Sequence, residues 1–182
     1  MKNIQTIIKQ CKRGDEQAQN LLYRHYRNKW YMLSLRYGRN KDEASDIMQE
    51  GMVQIFRDLS QFNSKKASFA TWSSRVLVHA ALRYLKKHNW HHSIEETEIK
   101  QGESSLPSTI YSDLAAKELT RLIAALPLGY KLVFNMYVIE DYSHKEIAAE
   151  LGITEGTSKS QLFKARKMLK EQIEKIILSE IG

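Results

Sequence analysis

The feature that most constrains this chain's fold is residues 143–169, SHKEIAAELGITEGTSKSQLFKARKML. Ser143 followed by Glu146 has the form of a capping box, in which two backbone N–H groups at a helix start are answered reciprocally. Ile147 and Leu151 then share one face, and Ala148 is small where two helices must cross closely. Gly152 stands where a sharp turn at positive φ ends the helix. Thr154 is placed to cap a second helix, and Glu155 complements its N-terminal dipole. Leu162, Ala165, Leu169 and Ile173 give that second helix an inward face. Thr157, Ser160, Gln161 and Lys164 form a separate stripe, flanked by Lys159, Arg166, Lys167 and Lys170. The pattern predicts a helix-turn-helix whose second helix is basic. Such a helix suits the major groove, with short polar side chains near base edges and cations on phosphates. The bland alternative is a solvated basic face on an ordinary helical hairpin.

The remaining periodicity is helical throughout. Ile4, Ile7, Ile8 and Cys11 fall on one face before Gly14 interrupts. Residues 15–37 form a longer helix with Ala18, Leu22, Tyr26, Trp30 and Leu33 inward. Residues 41–60 follow the i, i+3, i+4, i+7 rule through Ala44, Ile47, Met48, Gly51, Met52, Ile55, Phe56 and Leu59, with Asn40 and Glu43 placed as a second capping box. A fourth helix is expected from Ser68 to Lys87, with Phe69, Trp72, Val76, Leu77, Ala80 and Tyr84 on its apolar side. Leu119, Leu122, Ile123 and Leu126 mark a helix that stops before Pro127, and Leu132, Val133, Met136 and Tyr137 the next. No segment alternates with period two for long enough to suggest a sheet, so the fold class is all-α.

Charge marks the boundaries. The net charge of +7 and the pI near 9.4 favour a polyanionic partner, nucleic acid before an anionic membrane surface. By region it is +10 over residues 1–92, −4 over 93–115 and +1 over 116–182. The middle piece, rich in Ser, Thr, Gly and acids, lacks helical period and reads as a flexible acidic linker between two small domains. Cys11 is the only cysteine, so an intrachain disulfide is excluded, which fits a cytoplasmic protein. No apolar run suits a signal peptide or a bilayer span, so no membrane insertion is expected.

Two features of the first domain bear on function. Asp42, Asp46 and Glu50, with Glu43 and Gln49, make an acidic patch opposite the apolar stripe of the third helix. It suits either solvent or a basic protein partner. Residues 62–92 interleave Phe62, Phe69, Trp72, Tyr84 and Trp90 with Lys65, Lys66, Arg75, Arg83, Lys86 and Lys87. Faces for stacking and charges for phosphates are what single-stranded nucleic acid requires. The inward aromatics are better read as core, and the polar loop Asn63–Ser68 as the place for an unpaired base. His88, His91 and His92 have i, i+3, i+4 spacing, but no cysteine or carboxylate supports them, so neither metal nor cofactor is expected. No phosphate loop or nucleophile arrangement points to an enzyme.

Together these stretches resemble the small extracytoplasmic-function (ECF) group of the bacterial sigma-70 family. ASDIMQEGMVQIF (44–56) is similar to that family's polymerase-docking helix, FNSKKASFATWSSRV (62–76) to its −10 segment, and residues 143–169 to its −35 reader. The resemblance implies a sigma2-like four-helix domain and a sigma4-like helix-turn-helix domain. It implies promoter DNA and core RNA polymerase, through its clamp helices and flap, as partners, and an anti-sigma factor as a regulator. It assigns Asp42, Asp46, Gln49 and Glu50 to polymerase. Asn63, Ser64, Lys65, Lys66, Ser68, Arg75, Arg83 and Lys86 fall to the −10 element. Thr157, Lys159, Ser160, Gln161, Lys164 and Arg166 fall to the −35 element. Three positions depart from the family pattern. Ser158 replaces the usual Val and removes a packing methyl, Gln161 replaces a common Arg and would favour adenine over guanine, and Gly51 with Met52 replaces bulkier residues. A helix-turn-helix regulator that binds DNA without polymerase is the alternative reading.

Overall fold

The computed structural model describes residues 4–88 and 114–181, and the side chains of 4–88 and 118–178. Every regular element among them is helical. The predicted linker up to residue 113, and with it Trp90, His91 and His92, lies outside the described residues, whereas Leu114 already opens a helix. The chain divides into two compact units, Met1–Gly38 with Asp42–Tyr84, and Arg39–Lys41 with Leu85–Gly182.

The first unit is built from α1 (Ile4–Cys11), α2 (Glu16–Tyr37), α3 (Lys41–Arg57) and α4 (Phe69–Lys87). Gly14, at φ 84°, turns the chain between α1 and α2, and Asp15 caps α2 by accepting from the Ala18 N–H at 3.0 Å. Leu22, Trp30 and Leu33 of α2, Ala44, Ile47 and Ile55 of α3, and Leu77, Ala80 and Ala81 of α4 are buried together as its core. At Gly51 a Cβ would lie within 2.1 Å of Leu77 Cδ1, so glycine is what lets α4's leucine press onto the α3 backbone. The bulk lost at Gly51 is therefore supplied by the neighbouring helix. Tyr26, Met48, Met52 and Phe56 are half-buried rather than inward. The third helix ends at Arg57, short of the expected residue 60, because the chain tightens into a 3₁₀ turn at Leu59–Gln61, where Gln61 N–H bonds the Asp58 carbonyl at 2.9 Å.

The second unit contains α5 (Leu114–Ala124), α6 (Leu128–Phe134), a π-turn at Asn135–Ile139, α7 (His144–Leu151) and α8 (Glu155–Ile181). Helices α5, α6 and α7 all pack on α8. Leu132, Met136, Ile147, Leu151, Leu162 and Ala165 form the core. Helix α8 has 27 residues and is about 40 Å long, so it outruns the helices it packs on. Beyond Leu169 none of its described residues is buried, and Ile173, expected inward, is exposed.

Candidate functional site

The helix-turn-helix is built by the local chemistry its sequence announces. Ser143 Oγ accepts from the Glu146 N–H at 3.2 Å, and Glu146 Oε2 accepts from the Ser143 N–H at 2.8 Å, which closes the capping box. Gly152 adopts φ 69° and ψ 32°, the left-handed geometry that ends α7. Thr154 Oγ1 then accepts from the Thr157 N–H at 3.0 Å to start α8.

Helical phase sorts the residues of α8. Lys159, Ser160, Lys164 and Arg166 are exposed, as a groove-facing surface requires, and Thr157 is half-buried with its hydroxyl on Thr154 at 2.9 Å. Gln161 does not join them. It is only 6% exposed, and its amide lies against Gly129, where a Cβ would come within 3.2 Å of Oε1. Its amide is packed inside the unit rather than presented with Ser160 and Lys164 on the exposed face. The residue that sequence reasoning missed is Phe163, 70% exposed on the same face as Ser160 and Lys167. Its ring adds apolar area to a surface otherwise made of cations and a hydroxyl. Further on, Lys167 and Lys170 pair with Glu171 and Glu174 at 3.9 and 3.7 Å, so unneutralised charge is concentrated in the first half of α8.

Ser158, the departure that removes a methyl, carries a different joint. It is fully buried and its Oγ lies 2.8 Å from His144 Nδ1, so the first residue of α7 is hydrogen-bonded to the first turn of α8. The imidazole stacks on Tyr137 at 4.4 Å, and the Arg166 guanidinium lies 5.9 Å from the other ring centroid. Burial, then Lys159, lower the His144 pKa, with Arg166 adding to this and Glu155 opposing. The folded chain therefore protonates at lower pH than the unfolded one. The stability carried by neutral His144 is complete above the unfolded value near 6.5 and is lost as pH falls through the folded value below it. Thermal melts should show a lower Tm on acidification from pH 6.5, and His144→Gln should flatten that part of the slope. An identical slope in the variant would refute the assignment.

In the first unit Asp42, Asp46, Gln49 and Glu50 are all exposed on one face of α3. Val53, which the sequence reading passed over, lies in the same stripe and is 54% exposed. Acidic side chains around a lone apolar one form a surface suited to a basic, partly apolar partner. The Tyr84 hydroxyl donates to Asp46 Oδ2 at 3.1 Å, which fixes that carboxylate from the side of α4.

The Asn63–Ser68 loop is tightly organised. Asn63 Oδ1 accepts from the Lys65 N–H at 2.9 Å as an Asx turn, and Ser68 Oγ accepts from the Thr71 N–H at 3.1 Å as the cap of α4. Both side chains are thus engaged in shaping the loop, and Ser64, Lys65 and Lys66 are the exposed ones left to meet a ligand. Phe62 and Phe69, the rings on either side, are buried at 5.4 Å from each other in a cluster with Tyr26, Trp30 and Trp72. Arg75, Arg83 and Lys86 are exposed at helical spacings that put them on one face of α4, with His79 half-buried between them. Among the described residues no cluster of His, Cys, Asp or Glu has a metal-binding arrangement.

Comparison with known proteins gives these surfaces a context. The family model for Sigma-70 region 2 matches residues 22–91, and that for Sigma-70, region 4 matches residues 116–169. The ECF RNA polymerase sigma-E factor of Haemophilus influenzae is 27% identical over 184 residues, covering 95% of this chain and 96% of that protein. Those of Escherichia coli K12 and Salmonella typhimurium LT2 are also 27% identical, covering 95% of both chains. Among solved structures, the sigma factor RpoE of Bartonella quintana, crystallised with the anti-sigma factor NepR, shares the fold with a TM-score of 0.58 at 15% identity, over 85% of this chain and 96% of that one. CnrH, in complex with the cytosolic domain of CnrY, aligns with a TM-score of 0.50 at 18% identity, over 93% and 96%. Region 2 falling on the acidic helix and the polar loop, and region 4 on the basic helix-turn-helix, agree with relatives matched over nearly their whole length: the chain belongs to the sigma-70 family, in its extracytoplasmic-function group.

Proposed function

We propose that this chain is an RNA polymerase sigma factor that binds core polymerase and directs initiation at promoters carrying −35 and −10 elements. The observation that carries the reading is the separation of three exposed surfaces in chain order. An acidic stripe with Val53 faces out from α3, a braced polar loop precedes the cationic face of α4, and an exposed basic face with Phe163 runs along α8. In this reading Asp42, Asp46, Gln49, Glu50 and Val53 meet the polymerase clamp helices. Ser64, Lys65, Lys66, Arg75, Arg83 and Lys86 meet the −10 strand. Lys159, Ser160, Phe163 and Lys164 meet the −35 groove, with Thr157 and Arg166 at its margins. The protein works in the cytoplasm without chemistry of its own, and an anti-sigma factor, the kind of partner bound to the Bartonella relative, regulates it.

The test is run-off transcription from a genomic fragment pool with core polymerase, with and without the protein. New start sites sharing upstream and downstream elements are expected. DNA binding by the protein alone with no new starts would favour a stand-alone regulator instead. That reading lacks support here, since the strands of a βα receiver domain are absent among the described residues.

The reassignment on α8 has its own test. Phe163→Ala should weaken binding to the upstream element about tenfold, the scale of one apolar contact to a thymine methyl together with its burial. Gln161→Met, which keeps the volume against Gly129, should leave base preference unchanged. Altered preference with Gln161→Met would return that residue to the DNA face.

A further inference from the structure

We propose that Lys12 is a positioning residue for the −10 loop, acting through the backbone at the point where the loop leaves the core. The inference rests on the sigma-factor reading and adds to it a residue from a part of the chain with no motif. Lys12 directly follows α1 and is held by its own N–H on the Ile8 carbonyl at 3.0 Å, at the corner that Gly14 and Asp15 fix. Its ammonium donates to the Phe62 carbonyl at 2.7 Å and to the Ser60 carbonyl at 3.3 Å, and lies 5.7 Å from the Phe62 ring centroid.

Those carbonyls lie at the near end of a loop that is held along its length by other bonds. At its far end Ser68 caps α4, and in the middle Asn63 closes the Asx turn while its carbonyl accepts from the Lys66 N–H at 3.0 Å. At the near end the Phe62 N–H closes the 3₁₀ turn on the Leu59 carbonyl at 3.2 Å, and the carbonyls of Ser60, in that turn, and of Phe62, just past it, both face the Lys12 ammonium. A charged donor bridging both fixes the two peptide planes that set the loop's exit direction. Lys12 is itself exposed and fills no part of the core, so its contribution is orientation rather than packing. Phe62 is fastened by its ring to Phe69 and Trp72, each at 5.4 Å, and by its carbonyl to Lys12. Ring and carbonyl together leave Asn63 one direction in which to continue.

The test uses the complete protein with core polymerase and two versions of one promoter, the native −10 element and one with a single base substituted. Lys12→Met should reduce the ratio of transcription between them by about tenfold, the size of one lost base contact. It should leave core affinity and −35 binding unchanged. Lys12→Arg, which keeps a cationic donor, should restore most of the ratio. An unchanged ratio in Lys12→Met overturns the proposal, as does equal weakening on both templates, the signature of a phosphate contact. Lys12→Gln, which keeps a shorter neutral donor, should give an intermediate ratio and decides the matter if the Met variant folds poorly. Absence of promoter-specific transcription with the unmodified protein would overturn the sigma-factor reading, and this proposal with it. That outcome is distinct from failure of the Lys12 variants alone.

Discussion

Trp30→Ala should cost the first unit about 3–5 kcal/mol, the range for deleting a large buried aromatic that its surroundings cannot collapse onto. Trp30 is buried, it stacks on Tyr26 at 5.6 Å and 18°, and its Nε1–H donates to Ser73 Oγ at 3.2 Å. Its loss should reach beyond stability. Tyr26 meets Phe69 edge-on at 5.0 Å, and Phe69 meets Phe62, so an unbroken aromatic series runs from the middle of α2 to both ends of the Asn63–Ser68 loop. Trp30→Phe should cost less, because the aromatic stack is retained and Ser73 still donates to the Ala70 carbonyl at 3.2 Å. Urea unfolding of both variants, followed by −10 discrimination in holoenzyme, provides the check. A loss below about 1 kcal/mol for Trp30→Ala would show that the site relaxes and that Trp30 does not support the loop.

Where function is encoded in local chemistry, the sequence was enough. The capping box at Ser143, the left-handed Gly152 and the Thr154 cap are short-range devices, and each takes the form its residues predict. Local pattern does not decide the inward or outward sense of a residue where that depends on a distant neighbour. Gln161 is polar, yet Gly129, far back in the chain, leaves a space that its amide fills. Phe163 is apolar, yet it lies on the exposed face. At about 100° per residue it lies roughly 160° around the helix from buried Ala165, and that phase could have found it.

Ile173 keeps the heptad-like spacing of its predecessors but lies past the last helix able to cover it. Periodicity records which face would be buried and says nothing about how far the partner extends. Gly51 and Ser158 read as losses against the family pattern, and both are compensated across an interface, by Leu77 and by His144. Lys12 had no local signal, because the carbonyls it bridges belong to residues about fifty positions away.

Asp46→Arg should weaken binding to core polymerase by about 100-fold, roughly 3 kcal/mol, and leave binding to −35 DNA unchanged. The substitution places a cation among Asp42, Gln49 and Glu50 on a face offered to a basic partner, and like charges brought together at an interface cost several kcal/mol. It also removes the acceptor of the nearly buried Tyr84 hydroxyl, whose pKa is raised by burial first, then by the hydrogen bond to Asp46 and by its charge with those of Glu43 and Glu50. Two effects are therefore mixed in the reversal, and further variants separate them. Asp46→Asn keeps an oxygen for the Tyr84 hydroxyl while removing the charge, so its loss of affinity measures electrostatics. Tyr84→Phe keeps the charge and frees the carboxylate to rotate, so its loss measures orientation. If charge dominates, Asp46→Asn should approach the reversal more closely than Tyr84→Phe does, and the defect should shrink as salt is raised. Core affinity unaffected by all three would remove α3 from the polymerase interface and return its acidic stripe to solvent.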